Sequence, residues 1–420
     1  MYKIQSVRGM KDILPDETPL WQLCEDIIRQ VTRRYGYREI RLPVLEPVSL
    51  FERAVGESTD IVSKEMYDFR DKSGEHITLR PEGTSGCVRA IIEHNLCYKT
   101  SQRLWYSGPM FRYERPQKGR LRQFTQFGVE TFGPEGPDID AELILLVRDI
   151  FRELGVVDHV TLQINSLGTA EERQNYRRVL VEYFMAHYAV LDDDSRKRLQ
   201  VNPLRILDSK NPDMQEIIAH APALLEYLEE ASKNHFNTFC HLLDRLGVGY
   251  EINSRLVRGL DYYTRTVFEW VAETAGTQGT VCGGGRYDGL VELFDKNRLP
   301  AAGFAIGMER LLLLVRSLIP APVCHSPDIV ITSEGILTEH LIISDRLRND
   351  VPWLNISTDC SGSKIKRQHE NAINSGCQYI LTVRNDHVLS LWKLRERENV
   401  LLTTDELITF FKNKCSTIKQ

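Results

Sequence analysis

"FRYERPQKGRLRQFTQFGVE", Phe111 to Glu130, decides how this chain is read. Its first half carries Arg112, Arg115, Lys118, Arg120 and Arg122 against one acid, Glu114. Its second half alternates as a strand does. Phe124, Gln126, Gly128 and Glu130 share one face; Thr125, Phe127, Val129 and Thr131 share the other. The preceding "RLWYSGPMFRYE" alternates too, so the two segments read as an antiparallel hairpin with a basic loop between them. One face is apolar enough to be core. The other is polar, with a glycine in its middle. A solvated sheet surface explains that face. So does an anionic ligand over Arg112, on the partner strand, near a carboxylate that prefers a cation.

The bulk composition frames the hairpin. The chain has 420 residues, 42% hydrophobic and 26% charged, which suits two to four globular, soluble domains and neither disorder nor a fibre. No run of about eighteen apolar residues predicts a membrane span. The N-terminal "MYKIQSVRGMKDILPDE" lacks the apolar region of a signal peptide. Nine cysteines lie scattered without a CxxC pair, which predicts buried free thiols in a reducing cytosol rather than zinc or a disulfide framework. The net charge of −5 requires any nucleic-acid contact to use local basic residues.

Outward from the hairpin, a first helix is signalled by Thr18 as cap, Pro19 in the first turn, the stripe Leu20, Leu23, Ile27, Ile28 and Val31, and Gly36 as its end. "YREIRLPVLEP" reads as a strand carrying Pro43, hence an edge or a bulge. "HITLRPEGT" is another short strand. A helix follows the hairpin from Ile139 to Leu154, with Gly155 as its stop. From about 169 to 246 the texture is that of a helical insertion, with helical spacing at Leu180, Tyr183, Phe184 and at Leu224, Leu228. Strand patterns return at "SRLVRGLDYYTRTVFEWV" and "GTVCGGGRYDGL", and "AAGFAIGMERLLLLVRSL" reads as a strand running into a helix. The expected domains are 1–320, a proline-rich linker at 321–327, and 328–420, where strands alternate with helices as in a small α/β domain. Its last helix opens with Thr403 and Glu406 at capping-box spacing.

The sequence has no phosphate loop, no dinucleotide fingerprint, no HExxH and no GxSxG. Arginines recur instead at structured places: Arg112, Arg120, Arg258, Arg286 and Arg310. A guanidinium stays charged and fits phosphate bidentately. Glu82 and Thr84 in "LRPEGT" have the chemistry to hold an ammonium group, though a helix cap explains Thr84 equally well. "LVRGLDYYTRT" gathers Arg258, Asp261, Tyr262 and Tyr263; an ion pair with two half-buried tyrosines explains it as well as a site does. "CGGGRYDG" reads as a turn as readily as a site. Arg310 stands in the first turn of an apolar helix, where a cation opposes the helix dipole. Either Glu309 next door or a phosphate would offset that placement.

Taken together, these stretches resemble the class II aminoacyl-tRNA synthetases. The strand with Pro43 is similar to their motif 1, "FRYERPQKGRLRQFTQFGVE" to motif 2, and "GFAIGMERLLLL" to motif 3. "LVRGLDYYTRTVFE" and "GGGRYDGL" resemble the two signatures of the histidyl-tRNA synthetases, of bacterial type, and the tail resembles that family's anticodon-binding domain. The resemblance implies an α+β fold: an antiparallel-sheet catalytic domain with a helical insertion, then a small α/β anticodon-binding domain. It implies a cytoplasmic ligase that joins L-histidine to tRNA(His) through a histidyl-adenylate, with ATP as substrate, Mg²⁺ as cofactor, and a homodimer involving Pro43.

By the same resemblance, Glu82, Thr84 and Gln126 hold the amino group of histidine and the atoms around it. Glu130, Tyr263 and Tyr262 read the imidazole, and Tyr287 walls that pocket. Arg112 and Arg258 grip the α-phosphate of ATP, Arg310 meets its terminal phosphates and adenine, and Arg120 assists. The sequence departs from the family pattern at Thr264, Thr125 and Gly283, where Asn, His and Ala are usual. These departures put only fine pocket geometry in doubt. A histidine-binding regulatory relative without catalysis is the alternative. Such relatives lack the tail and lose the catalytic signatures, both of which are present here.

Overall fold

Helix α1 (Thr18–Arg34) buries Leu20, Cys24, Ile28 and Val31. Leu23, expected in that stripe, is 37% exposed; the helical period through Leu20 and Ile28 selects Cys24 instead. Thr18 is not the cap. It is the first helical residue, and its hydroxyl donates to the Pro15 carbonyl at 3.0 Å. Gly36, at φ 77°, ends the helix in the left-handed region that glycine tolerates.

The computed structural model describes residues 4–56, 59–209, 211–274, 277–295, 298–320, 326–334, 338–384 and 388–418. The chain divides into two compact units, Met1–Pro322 and Val323–Gln420. Most of the expected linker, 321–325, lies outside the described residues.

In the first unit, β1 (Arg38–Glu39) and β2 (Leu45–Pro47) are separate strands, and Pro43 lies between them. This corrects the expectation of one strand through Pro43. A proline offers no N–H to a ladder, and its carbonyl accepts from Arg80 at 3.1 Å. Helix α2 (Val48–Val55), β3 (Tyr67–Arg70) and β4 (His76–Leu79) follow, the last two joining β2 in a three-stranded sheet. Then come α3 (Thr84–Glu93), β5 (Gln102–Phe111), β6 (Gln123–Phe132), α4 (Pro137–Glu153) and β7 (Val160–Ser166). Helices α5 (Ala170–Ala186), α6 (Asp193–Val201), α7 (Gln215–Ala219) and α8 (Glu230–Arg245) fill the insertion. The unit closes with β8 (Glu251–Ile252), β9 (Thr264–Thr274), β10 (Thr277–Arg286), β11 (Ala301–Gly307) and α9 (Met308–Leu318).

Eight strands form the main sheet in the order β1-β5-β6-β11-β10-β9-β7-β8. All neighbours are antiparallel except the edge pairs β1–β5 and β7–β8. The expected hairpin is β5–β6, with Trp105 opposite Val129 and Gly108 opposite Gln126. Phe127 and Val129 enter the core beneath α1, α4, α8 and α9, so the alternate residues Gln126 and Glu130 are left for the opposite face. The glycine triplet Gly283–Gly285 is mid-strand in β10, paired on both sides, which removes the turn reading. Phe236, Phe239 and Leu243 of α8 pack into the core of the main sheet, so that helix does not stand apart from it.

The segment 256–263 is not the strand its pattern suggested; strand β9 begins only at Thr264. Backbone without a ladder needs other partners, and the insertion supplies them. Arg205 donates to the Gly259 carbonyl at 2.5 Å, Asn202 to the Asp261 carboxylate at 3.1 Å, and Arg173 to the Tyr263 carbonyl.

Beside the far end of β10, Arg286 is fully buried. It donates to Asp140 at 3.1 Å, to Asp288 at 2.9 Å, and to the carbonyls of Pro134 and Gly136 at 3.1 and 3.2 Å. His235 reaches the other Asp140 oxygen at 2.9 Å. A buried guanidinium is tolerated only with such complete pairing.

The second unit follows its sequence pattern: β12 (Ile329–Ser333), α10 (Thr338–Asp350), β13 (Ile356–Thr358), α11 (Ile365–Asn374), β14 (Tyr379–Val383), β15 (Leu389–Lys393), β16 (Glu398–Leu402) and α12 (Thr404–Ile418). Its sheet order is β13-β12-β14-β15-β16. Thr403 and Glu406 form the expected capping box. Among the described residues the cysteines are free thiols, but Cys360 is exposed rather than buried. No described helix is long and apolar enough to cross a membrane.

Two outcomes follow. Arg286→Met leaves Asp140 and Asp288 without their cation, and denaturant unfolding should show a loss of about 3–5 kcal/mol. Asn202→Ala combined with Arg205→Ala removes two ties on 256–263. Amide exchange there should rise well above that of β9, with the global unfolding midpoint almost unchanged; equal protection in both proteins would show that the loop holds itself.

Candidate active site

On the face of the sheet opposite the α4 core, a cavity of about 320 Å³ opens over β6, β10 and β11. Every residue to which the resemblance gives a ligand lines it: Glu82, Thr84, Arg112, Arg120, Gln126, Glu130, Arg258, Tyr262, Tyr263, Tyr287 and Arg310; Arg286 and Asp261 do not. Pro43 is exposed in the β1–β2 connection.

Glu82 and Thr84 stand where β4 gives way to α3. Thr84 is the first helical residue, not the cap. Glu82 serves the helix end instead, accepting from the N–H groups of Thr84 at 2.7 Å and Ser85 at 2.9 Å. The Thr84 hydroxyl is thereby free to donate across the cavity floor to Glu130 at 2.7 Å. Gln126 accepts from the Gly83 N–H at 3.1 Å, tying β6 to the α3 entry.

Glu130 is 1% exposed and, among the described residues, has no cation beside it. It accepts hydroxyls from Thr84, from Tyr106 at 3.0 Å and from Tyr287. Burial pushes its carboxyl up to about 8; the Tyr287 and Thr84 hydroxyls oppose that, Glu82 adds to it, and Tyr106 opposes it. Tyr262, Tyr263 and Tyr287 make an aromatic wall, with ring centroids 4.7 Å (262–263) and 5.6 Å (262–287) apart. A carboxyl without a cation, behind three phenols, is suited to a polar ring bearing an N–H or a positive charge.

The other end of the cavity is cationic. Arg112 lies one residue beyond β5, not within it. Its Nε donates to the Pro81 carbonyl at 2.9 Å and its guanidinium covers the Phe124 ring at 5.2 Å. Arg120 reaches only Glu114, at 3.4 Å, and is 45% exposed. Arg310 donates to the carbonyls of Gly119 at 3.2 Å and Thr280 at 2.6 Å. Glu309 is not its partner. That carboxyl accepts from the Thr125 N–H at 2.8 Å, and burial pushes it up to about 7. Burial lowers the pKa of Arg310, and Arg120 and Arg112 lower it further, with Glu114 opposing. Three guanidiniums gathered at one end of a cavity make a receptor for a polyanion.

Arg258 is carried by the 256–263 loop and pairs with Glu269 of β9, which also accepts from Thr280 at 2.6 Å. Burial opposes its charge, yet Glu269 and the two tyrosines beside it hold its pKa above the ordinary value. Its Nε is buried without a hydrogen-bond partner among the described residues. A Cβ on Gly283 would fall 2.4 Å from its Nη1, so the glycine that departs from the family pattern leaves room under this guanidinium.

Glu269, Thr280, Glu309 and Tyr106 were not singled out in the sequence as site residues. Glu269 had one available signal, a single acid inside the otherwise apolar run Val267 to Ala272.

A family model described as histidyl-tRNA synthetase matches residues 9–311. The crystal structure of apo histidyl-tRNA synthetase from S. aureus is 34% identical, with a TM-score of 0.79, covering 98% of this chain and 100% of that one. A histidyl-tRNA synthetase from a Nostoc species is 21% identical, with a TM-score of 0.66, over 98% of this chain and 100% of that one. A Bacillus halodurans protein titled as an ATP phosphoribosyltransferase regulatory subunit/histidyl-tRNA synthetase is also 21% identical, with a TM-score of 0.66, over 92% and 99%. The last two speak for the fold alone. The family model spans most of the catalytic unit, and the S. aureus likeness runs over both units: this chain belongs to the histidyl-tRNA synthetase family.

Proposed function

We propose that the protein attaches L-histidine to tRNA(His) at the expense of ATP, through a histidyl-adenylate, releasing pyrophosphate and AMP. The observation that carries this reading is the polarity of one cavity: four arginines toward one end, and Glu82 and Glu130 behind tyrosines at the other. A polyanion and a cationic amino acid fit it side by side. The 34% identity along the whole S. aureus chain supports the same reading and its bacterial type.

In the first step the histidine carboxylate attacks the α-phosphorus and pyrophosphate leaves. No side-chain nucleophile is required. Glu82 and Gln126 hold the amino group, while Glu130 and Tyr263 hold the imidazole, fixing the carboxylate for in-line attack. Arg112 and Arg258 converge on the α-phosphate, where charge on the phosphoryl oxygens is greatest in the transition state. The unpartnered Nε of Arg258 is a donor already in place. Arg310 and Arg120 take the outer phosphates. In the second step the 3′-terminal ribose hydroxyl of the tRNA attacks the carbonyl of the adenylate, and AMP leaves. Specificity comes from buried donors and acceptors that another side chain would leave unpaired.

Mg²⁺ belongs to this reading. Among the described residues no group of three or more His, Cys, Asp or Glu gathers. Mg²⁺ commonly takes one or two carboxylates and completes its shell with phosphates and water, and Glu114 and Glu269 both line the cavity among the arginines. When bound there it would neutralise charge on the pyrophosphate side. A cytoplasmic homodimer, with Pro43 and the neighbouring exposed Val44 and Leu45 at its interface, and anticodon reading by Val323–Gln420 complete the proposal.

Amino-acid-dependent ATP–pyrophosphate exchange should occur with histidine and not with other amino acids. Histidine binding without exchange would instead place the protein with the regulatory relatives. Arg258→Ala should lower the exchange rate on the order of 10²-fold or more; a rate near wild type would make that guanidinium structural. Lys118→Ala, in the hairpin loop, should weaken tRNA binding and flatten its dependence on salt. An unchanged salt slope would show that this lysine contacts only water.

A further inference from the structure

Glu130 is held asymmetrically. Its Oε1 accepts two hydroxyls, Thr84 at 2.7 Å and Tyr106 at 3.0 Å, whereas Oε2 accepts one, from Tyr287. A carboxylate oxygen offers about two acceptor positions. Oε1 is therefore full and Oε2 keeps one place. A Cβ on Gly303 of β11, directly opposite Glu130, would fall 2.0 Å from Oε2, so the carboxylate fills the space that this glycine leaves.

Tyr106 reaches Glu130 from outside the cavity and is not part of its lining. It is 2% exposed on β5, opposite Gly128. Its ring occupies a slot cut by two glycines from different elements. A Cβ on Gly128 or on Gly83 would each stand 2.2 Å from a ring carbon. A slot that removes two side chains to admit one phenol is costly unless the phenol has a task, and its hydroxyl bonds to Glu130.

We propose that Tyr106 is a positioning residue for amino-acid selection: with Thr84 it saturates Oε1 of Glu130, so that Oε2 is the single acceptor presented to a ring N–H of the substrate. This rests on the histidine reading above. Tyr106 touches no substrate and acts through the carboxylate alone. A ring without an N–H at the matching position then meets no alternative acceptor, because the carboxylate cannot turn without breaking two hydroxyl bonds.

The effect on protonation gives a readout that packing alone does not. The groups facing Glu130 are Thr84 and Glu82 at the α3 entry, Cys87 in α3, Tyr106 on β5, Tyr262 and Tyr263 in the loop, Tyr287 after β10, and Tyr37. The tyrosines and Cys87 have pKa values above their ordinary ones. Burial puts the Glu130 carboxyl at about 8, within the physiological range. A bound carboxyl–imidazole pair shares one proton. Below about pH 8 the empty pocket brings that proton on Glu130; above it the proton is gone and histidine affinity falls. Removing the Tyr106 hydroxyl removes a bond that favours the charged carboxylate, so the Glu130 pKa rises and the basic limb moves to higher pH.

The test is Tyr106→Phe, read by histidine binding and by ATP–pyrophosphate exchange between pH 6 and 9.5. The histidine KM should rise about tenfold, a lost hydrogen bond's worth. The ATP KM and the saturated rate should stay within about twofold, and the basic limb should move upward. In a Glu130→Gln background the same change should add nothing. Should Tyr106→Phe fail to fold, Gly128→Ala keeps the phenol but displaces its ring, and should give the same histidine-specific defect. An unmoved histidine KM and basic limb, or a full additive effect in Glu130→Gln, overturns the assignment. Absence of histidine binding in the wild-type protein would instead overturn the functional reading beneath it.

Discussion

A carboxylate buried in a sheet, with no cation beside it among the described residues, is the constraint on which the first unit turns. Moving an ionised carboxyl out of water is expensive unless its lone pairs are met. Glu130 offsets most of that cost with hydroxyls from three places, Thr84 at the start of α3, Tyr106 on β5 and Tyr287 just beyond β10, leaving one position on Oε2. Each place is fixed by other contacts. The α3 entry is held by Glu82 and by Gln126, β5 by its ladder to β6, and Tyr287 by its neighbours Arg286 and Asp288, which are locked to Asp140 and to each other. Loosening any one of them reaches the pocket floor. Catalytic geometry and fold stability thus share the same bonds.

The cavity is built on two kinds of backbone. Gln126 and Glu130 stand on β6, Thr84 in the first turn of α3 and Arg310 in that of α9, where ladders and helix turns set positions. Other lining groups depend on irregular chain. Arg112 lies just past a strand, Arg120 in a loop, and Arg258 in a segment whose outside ties come partly from the insertion. Irregular segments open more readily than ladders. Arg112, Arg120 and Arg258 are accordingly carried by the parts of the site best able to adjust to a ligand.

Much of this was legible in the sequence because alternation is a strict period. The faces of β6 were readable from Phe124 to Thr131, and with them the placement of Gln126 and Glu130. The second unit's order of strands and helices was readable for the same reason. What failed were positions decided by partners distant in the chain. The 256–263 segment has the residues of a strand, but Arg173, Asn202 and Arg205 hold it as a loop. Thr84 has the chemistry of a cap, yet Glu82 takes that task and frees the hydroxyl. Glu309 adjoins Arg310 in sequence, yet helical geometry directs it to Thr125. Tyr106 reads as one more core aromatic, and only the two glycines facing it across separate elements reveal the slot.

The insertion shows how far such distant partners matter. Its α8 is part of the main core, through Phe236, Phe239 and Leu243. Its earlier helices pack through Tyr176, Leu180 and Phe184 into the cluster that also holds Tyr262, Tyr263 and Tyr287. Three of its polar side chains then bond directly to the loop bearing Arg258. A module attached by one surface could drift without consequence for the site. This one is attached both to the sheet and to the loop, so a displacement of α5 or α6 relative to α8 must be absorbed between Gly259 and Tyr263. That is the segment between Arg258 and the Tyr262–Tyr263 wall. The insertion is therefore mechanically in series with the cavity, although none of its described residues lines it.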